Sequence, residues 1–310
     1  MIYFLRKTFK NYRHWKGVNP IKNDLTINDY NDLVKNAIQK GVPFMVSRFG
    51  SEEIKWYINY RVSQKNVFLR IYYYIICQTE EWRSKIRLEL INNLSFSPST
   101  REMTNCFYLE YFQAVPKIDI LGSWLYLEKS KIINFEQITR SIYLGHLEPY
   151  YSENPWTKAL EGKKVLVIHP MKKSIESQYL KRHLIYGDKK ILPVFHLEVL
   201  QAPYFDDPRF GSWKAIMEYY KTEIRNFDFD VVILGCGSWG MPLAGYIKDR
   251  GKVAIHLGGA TQILFGIIGE RWETQWPEFR ALNLVNEHWT RPLPEETPDW
   301  AKGYDKNSYW

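Results

Sequence analysis

The stretch from Asp230 to Gly259 reads DVVILGCGSWGMPLAGYIKDRGKVAIHLGG, and its pattern predicts the fold. An apolar run ends in the spacing Gly235-x-Gly237-x-x-Gly240, a helix-like segment follows, and a second apolar run ends in two glycines. Strand, glycine turn, helix and strand in this order form a βαβ unit with parallel strands. We therefore expect an α/β fold, a Rossmann-like and mostly parallel sheet with helices on both faces.

The glycine turn also fits a nucleotide site, because glycines let the backbone approach a ligand and a helix N-terminus attracts phosphate. Six residues of the unit are candidate nucleotide contacts: Gly235, Gly237, Ser238, Gly240, His256 and Gly259. Dinucleotide folds usually place an acidic residue at the end of the second strand to bind the ribose, and none occurs here. A turn needed only for packing is the alternative interpretation.

Length and composition limit the class of protein. The chain has 310 residues, of which 45% are hydrophobic, enough for a substantial core. No apolar run reaches the ~18 residues of a membrane-spanning helix, and no cleavable signal segment is evident. The three cysteines are widely spaced, which argues against a disulfide framework or a zinc site and indicates a reducing compartment. We expect a cytoplasmic protein.

The positive charge is concentrated at the start of the chain. The formal net charge is +8, and residues 1–23 carry six Lys or Arg and no acid, which leaves +2 for the rest. This uneven distribution argues against a nucleic-acid partner. Within an arm formed by residues 1–24, basic and aromatic residues are interleaved, so we expect peripheral binding to the inner face of an anionic membrane. A solvated or partner-packed terminus is the alternative.

A second predicted strand-to-helix turn carries charged residues. The apolar segment PFMVS at 43–47 leads directly into RFGSEE at 48–53, which opens a predicted helix. The arginine suits phosphate oxygens, and carboxylates beside phosphates favour a divalent cation. Alternatively, the acids only complement the helix dipole and Arg48 forms a salt bridge.

Further strands are predicted over Lys117 to Leu121, Val165 to Ile168 and Ile191 to Phe195. The second of these leads into a helix that begins near Lys172 and Ser174, two candidate phosphate contacts. In a parallel sheet all such strand ends lie along one edge, so we expect their side chains to meet.

The chain divides into the arm, a catalytic domain over residues 25–271, and a C-terminal segment over 272–310. Thr79 to Leu94 is predicted as a helix of mixed charge. The C-terminal segment is rich in tryptophan and proline, and we expect an extended strap across the domain.

The RxGxxE spacing at 48–53 resembles that of bacterial glycosyltransferases of the GT-D fold, which carry this signature, often as RFGDGE, at a strand–helix turn. Four later segments extend the resemblance over residues 25–300: VLVIHP at 165–170, GCGSWG at 235–240, AIHLGGAT at 254–261 and NEHW at 286–289. The last two are similar to segments of members encoded with surface-polysaccharide genes.

The resemblance implies transfer of a sugar from a nucleoside-diphosphate sugar, a UDP-sugar first, to a glycan or lipid-linked acceptor in surface polysaccharide biosynthesis. It also implies a divalent metal such as Mn²⁺. Arg48 would contact the diphosphate, and Glu53 would hold the metal or orient the donor. Glu52 is a second candidate metal ligand, and Gly50 and Ser51 are candidate donor contacts. Ser51 stands where the family has aspartate, which weakens the expected metal site.

Two other functions fit the same residues. The GxGxxG spacing is typical of nicotinamide-dependent oxidoreductases, although the ribose-binding acid is missing. A non-catalytic module that binds a nucleotide or a glycan would need the same turns but no catalytic group.

Overall fold

The computed structural model of the chain contains, in its described part, one seven-stranded sheet whose strands are all parallel. The described residues are 1–16, 24–77, 79, 100–129, 140–187, 189–301 and 309–310. The strands are β1 Phe44–Arg48, β2 Ile120–Ser123, β3 Ser141–Tyr143, β4 Lys164–His169, β5 His196–Gln201, β6 Val231–Leu234 and β7 Val253–His256. Their order in the sheet is β3-β2-β1-β7-β6-β4-β5. The predicted α/β fold class is confirmed.

The α-helices connect and flank these strands. They are α1 Ile2–Lys16, α2 Ile27–Lys40, α3 Ser51–Ser63, α4 Val67–Ile75, α5 Arg101–Ala114, α6 Lys172–Leu180, α7 Arg182–Ile185, α8 Trp213–Glu223, α9 Gly240–Asp249, α10 Ala260–Leu264, α11 Glu270–Thr274 and α12 Pro277–Ala281. Short 3₁₀ turns occupy much of the chain between β3 and β4.

Both faces of the sheet are covered, and this explains the continuous apolar runs of the central strands. Along β6, Val231 and Ile233 belong to the core beneath α2, α6 and α7, whereas Val232 and Leu234 belong to the core beneath α3, α5, α8 and α9. All four side chains are fully buried. Alternate residues of a strand point to opposite faces, so a strand buried on both sides needs apolar residues throughout.

Local signals in the sequence set the ends of α2. The hydroxyl of Thr26 accepts a hydrogen bond from the Asp29 N–H, and the Asp29 carboxylate accepts from the Thr26 N–H, which forms a capping box. Gly41 ends the helix with a φ of 63°, in the left-handed region that favours glycine.

The strand predicted over Ile191 to Phe195 is wrong, because the fifth strand is the next segment, His196–Gln201. The hydroxyl of Tyr179 accepts a hydrogen bond from the Phe195 N–H (2.7 Å) and donates one to the Phe195 carbonyl (2.8 Å). The backbone of Phe195 is thus paired with a side chain and not with a neighbouring strand. β5 lies at the edge of the sheet, where polar residues are tolerated and the apolar signal is weak. β3, the opposite edge, has only three residues and was not predicted.

The segment at 66–77 is apolar and rich in tyrosine and isoleucine, a composition that fits a strand or a helix, and it contains α4, capped by the Asn66 side chain. The helix predicted over Thr79 to Leu94 lies outside the described residues, apart from Thr79 itself. Among the described helices, none is both long and apolar enough to cross a membrane.

The C-terminal segment is folded onto the domain rather than extended throughout. Phe279 of α12 and Trp289, which follows that helix, are buried in the core beneath α2, α6 and α7. The indole N–H of Trp289 donates to the Ile185 carbonyl (2.8 Å). Further along, Tyr309 packs beside the same core, and its carbonyl accepts from the Gln262 amide (3.1 Å). This segment thereby covers the edge of the sheet at which the strands end.

Candidate active site

A cleft of about 540 Å³ opens at the carboxyl edge of the sheet, beyond the ends of β1, β2, β4, β5, β6 and β7. The chain leaves β4 towards α6 on one face and leaves the neighbouring β6 towards α9 on the other face. Ligands in parallel α/β sheets bind where neighbouring connections diverge in this way. The prediction that the strand-end turns converge on one edge is confirmed.

The three glycines of the turn after β6 each have a structural reason. A methyl group at Gly235 would lie 2.5 Å from the His169 ring, and one at Gly240 would collide with the His256 ring. Gly237 has a φ of 61°, which side-chain-bearing residues rarely adopt. Packing and backbone conformation thus require these glycines. Gly235 and Gly237 line the cleft, whereas Gly240, also predicted as a nucleotide contact, packs against His256 and does not line it.

Ser238, predicted as a nucleotide contact, lies in the cleft wall but its hydroxyl is engaged. The Trp213 indole donates to this hydroxyl (2.9 Å), and the Tyr111 hydroxyl donates to the Ser238 carbonyl (2.9 Å). Ser238 therefore anchors the turn to α5 and α8. Its contribution to a ligand would come from the backbone.

Two buried histidines form the floor of the cleft. The His256 Nδ1 lies 3.0 Å from the Ser47 hydroxyl, and the His169 Nδ1 accepts from the Met171 N–H (3.1 Å). Burial lowers the pKa of both imidazoles to about 3, and Arg48 adds to the effect at His256. Both rings are therefore neutral at physiological pH, and the positive charge of the cleft comes from arginine.

Arg48 ends β1 and lies beside the Trp124 indole. Its Nε and Nη2 donate to the Phe49 carbonyl (3.2 and 2.9 Å), which also accepts from the Trp124 indole N–H (3.0 Å). The guanidinium carbon lies 5.3 Å from the Trp124 ring centroid, and a methyl group at Gly258 would lie 2.9 Å from Nη1. The guanidinium is thus held rigidly by contacts other than a carboxylate salt bridge, and it lines the cleft.

The RxGxxE turn lies beside this arginine, at the start of α3. Gly50, Ser51, Glu52 and Glu53 all line the cleft. The Glu53 carboxylate folds back over the α-carbon of Gly50, where any side chain would collide with it. Burial raises the pKa of Glu53, and its own N–H and Arg48 oppose the rise. The structure therefore brings the predicted catalytic pair into one place.

Two buried glutamates near Arg48 were not predicted. Glu128 accepts from the Ser123 hydroxyl (2.6 Å) and from the Trp124 and Leu125 N–H groups (3.0 and 3.1 Å), which fixes the turn carrying Trp124. Its Oε1 has no hydrogen-bond partner within the described ranges. Burial raises its pKa to about 7. Glu128 therefore positions the indole that packs on Arg48.

Glu148 is the second of these glutamates and lines a small cavity of about 50 Å³ that shares Arg48, Trp124 and Gly259 with the main cleft. Its carboxylate accepts from the Tyr150 hydroxyl. Burial raises the pKa of Glu148 to about 8, and the positive charge of Arg48 opposes the rise. No local sequence motif marks Glu128 or Glu148. They become candidate functional residues only because the folded protein buries them.

Lys172 and Ser174 are not brought into the cleft. The start of α6 is occupied by the Glu296 carboxylate, which accepts from the Ser174 N–H (3.0 Å), the Ser174 hydroxyl (2.5 Å) and the Lys173 N–H (2.5 Å). The Lys172 ammonium lies 3.8 Å from Glu176 at the surface. The anion at this helix start is thus a residue of the chain, and the predicted phosphate contact there is not supported.

The C-terminal segment supplies an aromatic wall, and Arg271, the residue before it, is a second arginine in the cleft. Trp276, Trp300, Tyr309 and Trp310 line the cleft, and the Gly259 α-carbon lies against the Tyr309 ring. Arg271 donates to the Tyr309 hydroxyl (3.2 Å), and its guanidinium lies 4.8 Å from that ring centroid.

The described side chains do not form a divalent-metal site. Across the described ranges, no group of three or more His, Cys, Asp or Glu residues is arranged to hold an ion. Glu53 is folded over Gly50, and Glu52 accepts from the Lys55 ammonium (2.7 Å). With Ser51 in place of the expected aspartate, the turn by itself forms no complete site, but Mg²⁺ is usually bound by one or two carboxylates together with substrate phosphates, so a metal that enters with the donor stays a prediction.

Comparison with known proteins adds no identification, since no family model, curated protein or solved structure matches this chain.

Proposed function

We propose that the chain is a glycosyltransferase that takes a sugar from a nucleoside-diphosphate sugar, a UDP-sugar first, and adds it to a glycan or lipid-linked acceptor. One observation carries the proposal: a single cleft is lined by Arg48 and the RxGxxE turn, by the glycine turn before α9, and by aromatic residues of the C-terminal segment. The first two suit a diphosphate, and the third suits the flat groups attached to it.

The diphosphate is assigned to the space between Arg48 and the start of α9. Arg48 donates two of its N–H groups to the Phe49 carbonyl, and its Nη1 lies against Gly258. Gly237, Ser238 and Trp239 form the 3₁₀ turn before α9 and line the cleft, and the start of a helical turn favours anions. The Gly240 N–H is not available, because it donates to the Gly237 carbonyl. Buried neutral histidines beneath the turn add no charge, so the positive potential comes from Arg48, Arg271 and the turn, and it is opposed by the acidic residues Glu52 and Glu53 of the cleft wall.

The base and the sugar are assigned to the aromatic wall. Trp276, Trp300, Tyr309 and Trp310 all line the cleft. Aromatic rings stack on nucleobases and on the C–H faces of sugars, with each pair contributing about 0.5–1.5 kcal/mol beyond area burial.

Glu53 is assigned as the proton acceptor for the incoming hydroxyl. Glu53 lines the cleft in the same turn as Arg48, and burial raises the pKa of its carboxyl, which makes it a stronger base than an exposed glutamate. As the acceptor oxygen bonds to the anomeric carbon, its proton passes to Glu53. The bond from that carbon to the diphosphate breaks, and the departing oxygen takes the electron pair. Arg48 stabilises the developing charge. The proposal assigns no step to a metal.

Thermal shift and turnover with a panel of nucleotide sugars test the proposal. We expect one nucleoside diphosphate to raise the melting temperature and its sugar conjugate to be hydrolysed slowly without an acceptor. Arg48→Gln should abolish the shift, whereas Arg250→Gln, an exposed arginine remote from the cleft, should retain it.

Two results would favour the other functions. Stabilisation by nicotinamide dinucleotides, with no response to sugar nucleotides, would indicate an oxidoreductase. Stabilisation by a nucleotide sugar without hydrolysis or transfer to any acceptor would indicate a binding module.

A further inference from the structure

α1 and α4 pack together and form one surface unit. The Arg6 guanidinium donates to the Tyr74 carbonyl (2.5 Å) and the Thr79 carbonyl (2.7 Å), and it lies 4.2 Å from the Tyr74 ring centroid. The Tyr3 ring meets the Tyr74 ring edge-on, with centroids 5.8 Å apart. α1, which carries most of the basic residues of the arm, is therefore packed against α4. Nothing in the sequence predicts this contact.

Both helices of this pair expose large apolar side chains. Phe68 is 80% exposed and Phe4 is 70% exposed, values far above those of core aromatics. Others are exposed around them: Tyr3, Leu5, Val67, Leu69 and Tyr72. Phe68 and Tyr72 are four residues apart in α4 and lie on the same face of the helix. An apolar surface of this kind marks an interaction site.

The same helix pair carries positive charge only. α1 contains five Lys or Arg, α4 contains Arg70, and neither helix contains Asp or Glu. Lys7 and Lys10 are exposed on α1 beside the apolar residues. Bringing two copies of such a surface together would oppose like charges, so self-association is disfavoured.

We propose that the α1–α4 surface binds an anionic lipid membrane, with Phe4 and Phe68 entering the interface and Lys7 and Lys10 contacting lipid phosphates. Helices that lie in the membrane plane combine exposed apolar residues with flanking lysine or arginine, as this pair does. Neither helix can span a bilayer, so both would lie along the surface. The proposal stands independently of the chemistry in the cleft.

Vesicle sedimentation with the full chain tests this surface. We expect the protein to sediment with vesicles of equal parts phosphatidylcholine and phosphatidylglycerol, and to stay in solution with phosphatidylcholine alone. Lys7→Gln with Lys10→Gln should weaken binding on the order of 30-fold, since each basic residue contributes about 1 kcal/mol and 1.4 kcal/mol is tenfold. Phe68→Ser should weaken binding about tenfold through lost apolar burial.

Leu180→Ser is the matched control, because Leu180 is 75% exposed on α6, outside this surface, and its loss should leave binding unchanged. Equal sedimentation with both vesicle types, or full binding by folded Phe68→Ser protein, would overturn the proposal. So would a concentration-dependent dimer that Phe68→Ser dissolves, since the surface would then bind a second copy.

Discussion

Replacing Glu148 by glutamine should make the protein more resistant to alkaline pH. Glu148 is almost completely buried, and the Tyr150 hydroxyl donates to its carboxylate. Burial raises its pKa to about 8, so the folded protein holds the proton at neutral pH. Glutamine has the shape of the protonated acid and can accept the same hydrogen bond, but it cannot ionise.

The size and sign of the effect follow from the two pKa values. An ordinary glutamate titrates near 4.5, whereas buried Glu148 titrates near 8. The folded state binds more protons than the unfolded state between these values, so stability falls as pH rises through this interval. Each pH unit costs about 1.4 kcal/mol, which sets an upper limit of about 5 kcal/mol for the whole interval. Relaxation and water entry reduce this, and we expect about 3 kcal/mol.

Urea denaturation at pH 5 and at pH 9 measures this loss. Wild type and Glu148→Gln should have similar free energies of unfolding at pH 5, and the variant should be the more stable at pH 9. The pKa of Glu128 is also raised, from 4.5 to about 7. Both proteins therefore lose the same amount of folding free energy at Glu128 as the pH rises through that interval. The difference between them therefore isolates Glu148. Glu153→Gln, an exposed glutamate nearby, is the control and should follow wild type at both pH values.

A constant difference between wild type and Glu148→Gln from pH 5 to pH 9 would refute this reasoning. It would mean that Glu148 is already ionised in the folded protein at neutral pH. Arg48 would then compensate the buried charge, and the small cavity would hold an ion pair rather than a neutral acid.

Four further predictions concern the cleft and the start of α6. Glu53→Gln should fold normally and lower sugar transfer about 100- to 1000-fold, within the range that a general base contributes, whereas Glu52→Gln, whose partner is Lys55, should have little effect in the same turnover assay. Ser51→Asp adds an oxygen ligand to the turn, so transfer should gain a dependence on Mn²⁺ in a metal titration, and an unchanged titration curve would contradict this. Gly237→Val should lose about 1–3 kcal/mol in urea denaturation because its φ is 61°, and donor affinity should fall in the protein that remains folded; normal donor affinity would show that the turn is only structural. Glu296→Ala removes the acceptor at the start of α6 and should destabilise the fold by about 1–3 kcal/mol without changing donor affinity, which calorimetry would measure.

Elements with strong local signals could be predicted from the sequence. The apolar run at 231–234, the glycines that follow it and the run at 253–257 specify strand, turn and strand through contacts between near neighbours. The capping residues of α2 act over three positions. The charged turn after β1 was placed at the sheet edge by the same reasoning, since the direction of parallel strands decides where their ends lie.

Weak or long-range signals could not be read in this way. β5 is an edge strand of mixed polarity, and a more apolar neighbouring segment was predicted instead. Ser174 has the local pattern of a phosphate contact at a helix start. In the folded protein Glu296, 122 positions later in the chain, occupies that start of α6. The sequence contains both residues, but nothing local indicates that they meet.

The sequence by itself determined the parallel α/β fold, the convergence of strand ends and the pairing of Arg48 with Glu53 in one turn, because hydrophobic period, glycine turns and helix caps act over a few residues. Only the tertiary structure decided which polar groups are buried or already occupied. It buried Glu128 and Glu148, filled the start of α6 with a carboxylate, brought aromatic residues of the C-terminal segment to the cleft and joined α1 to α4. Burial depends on every segment that packs around a residue, so the ionisation and availability of these groups are properties of the folded chain.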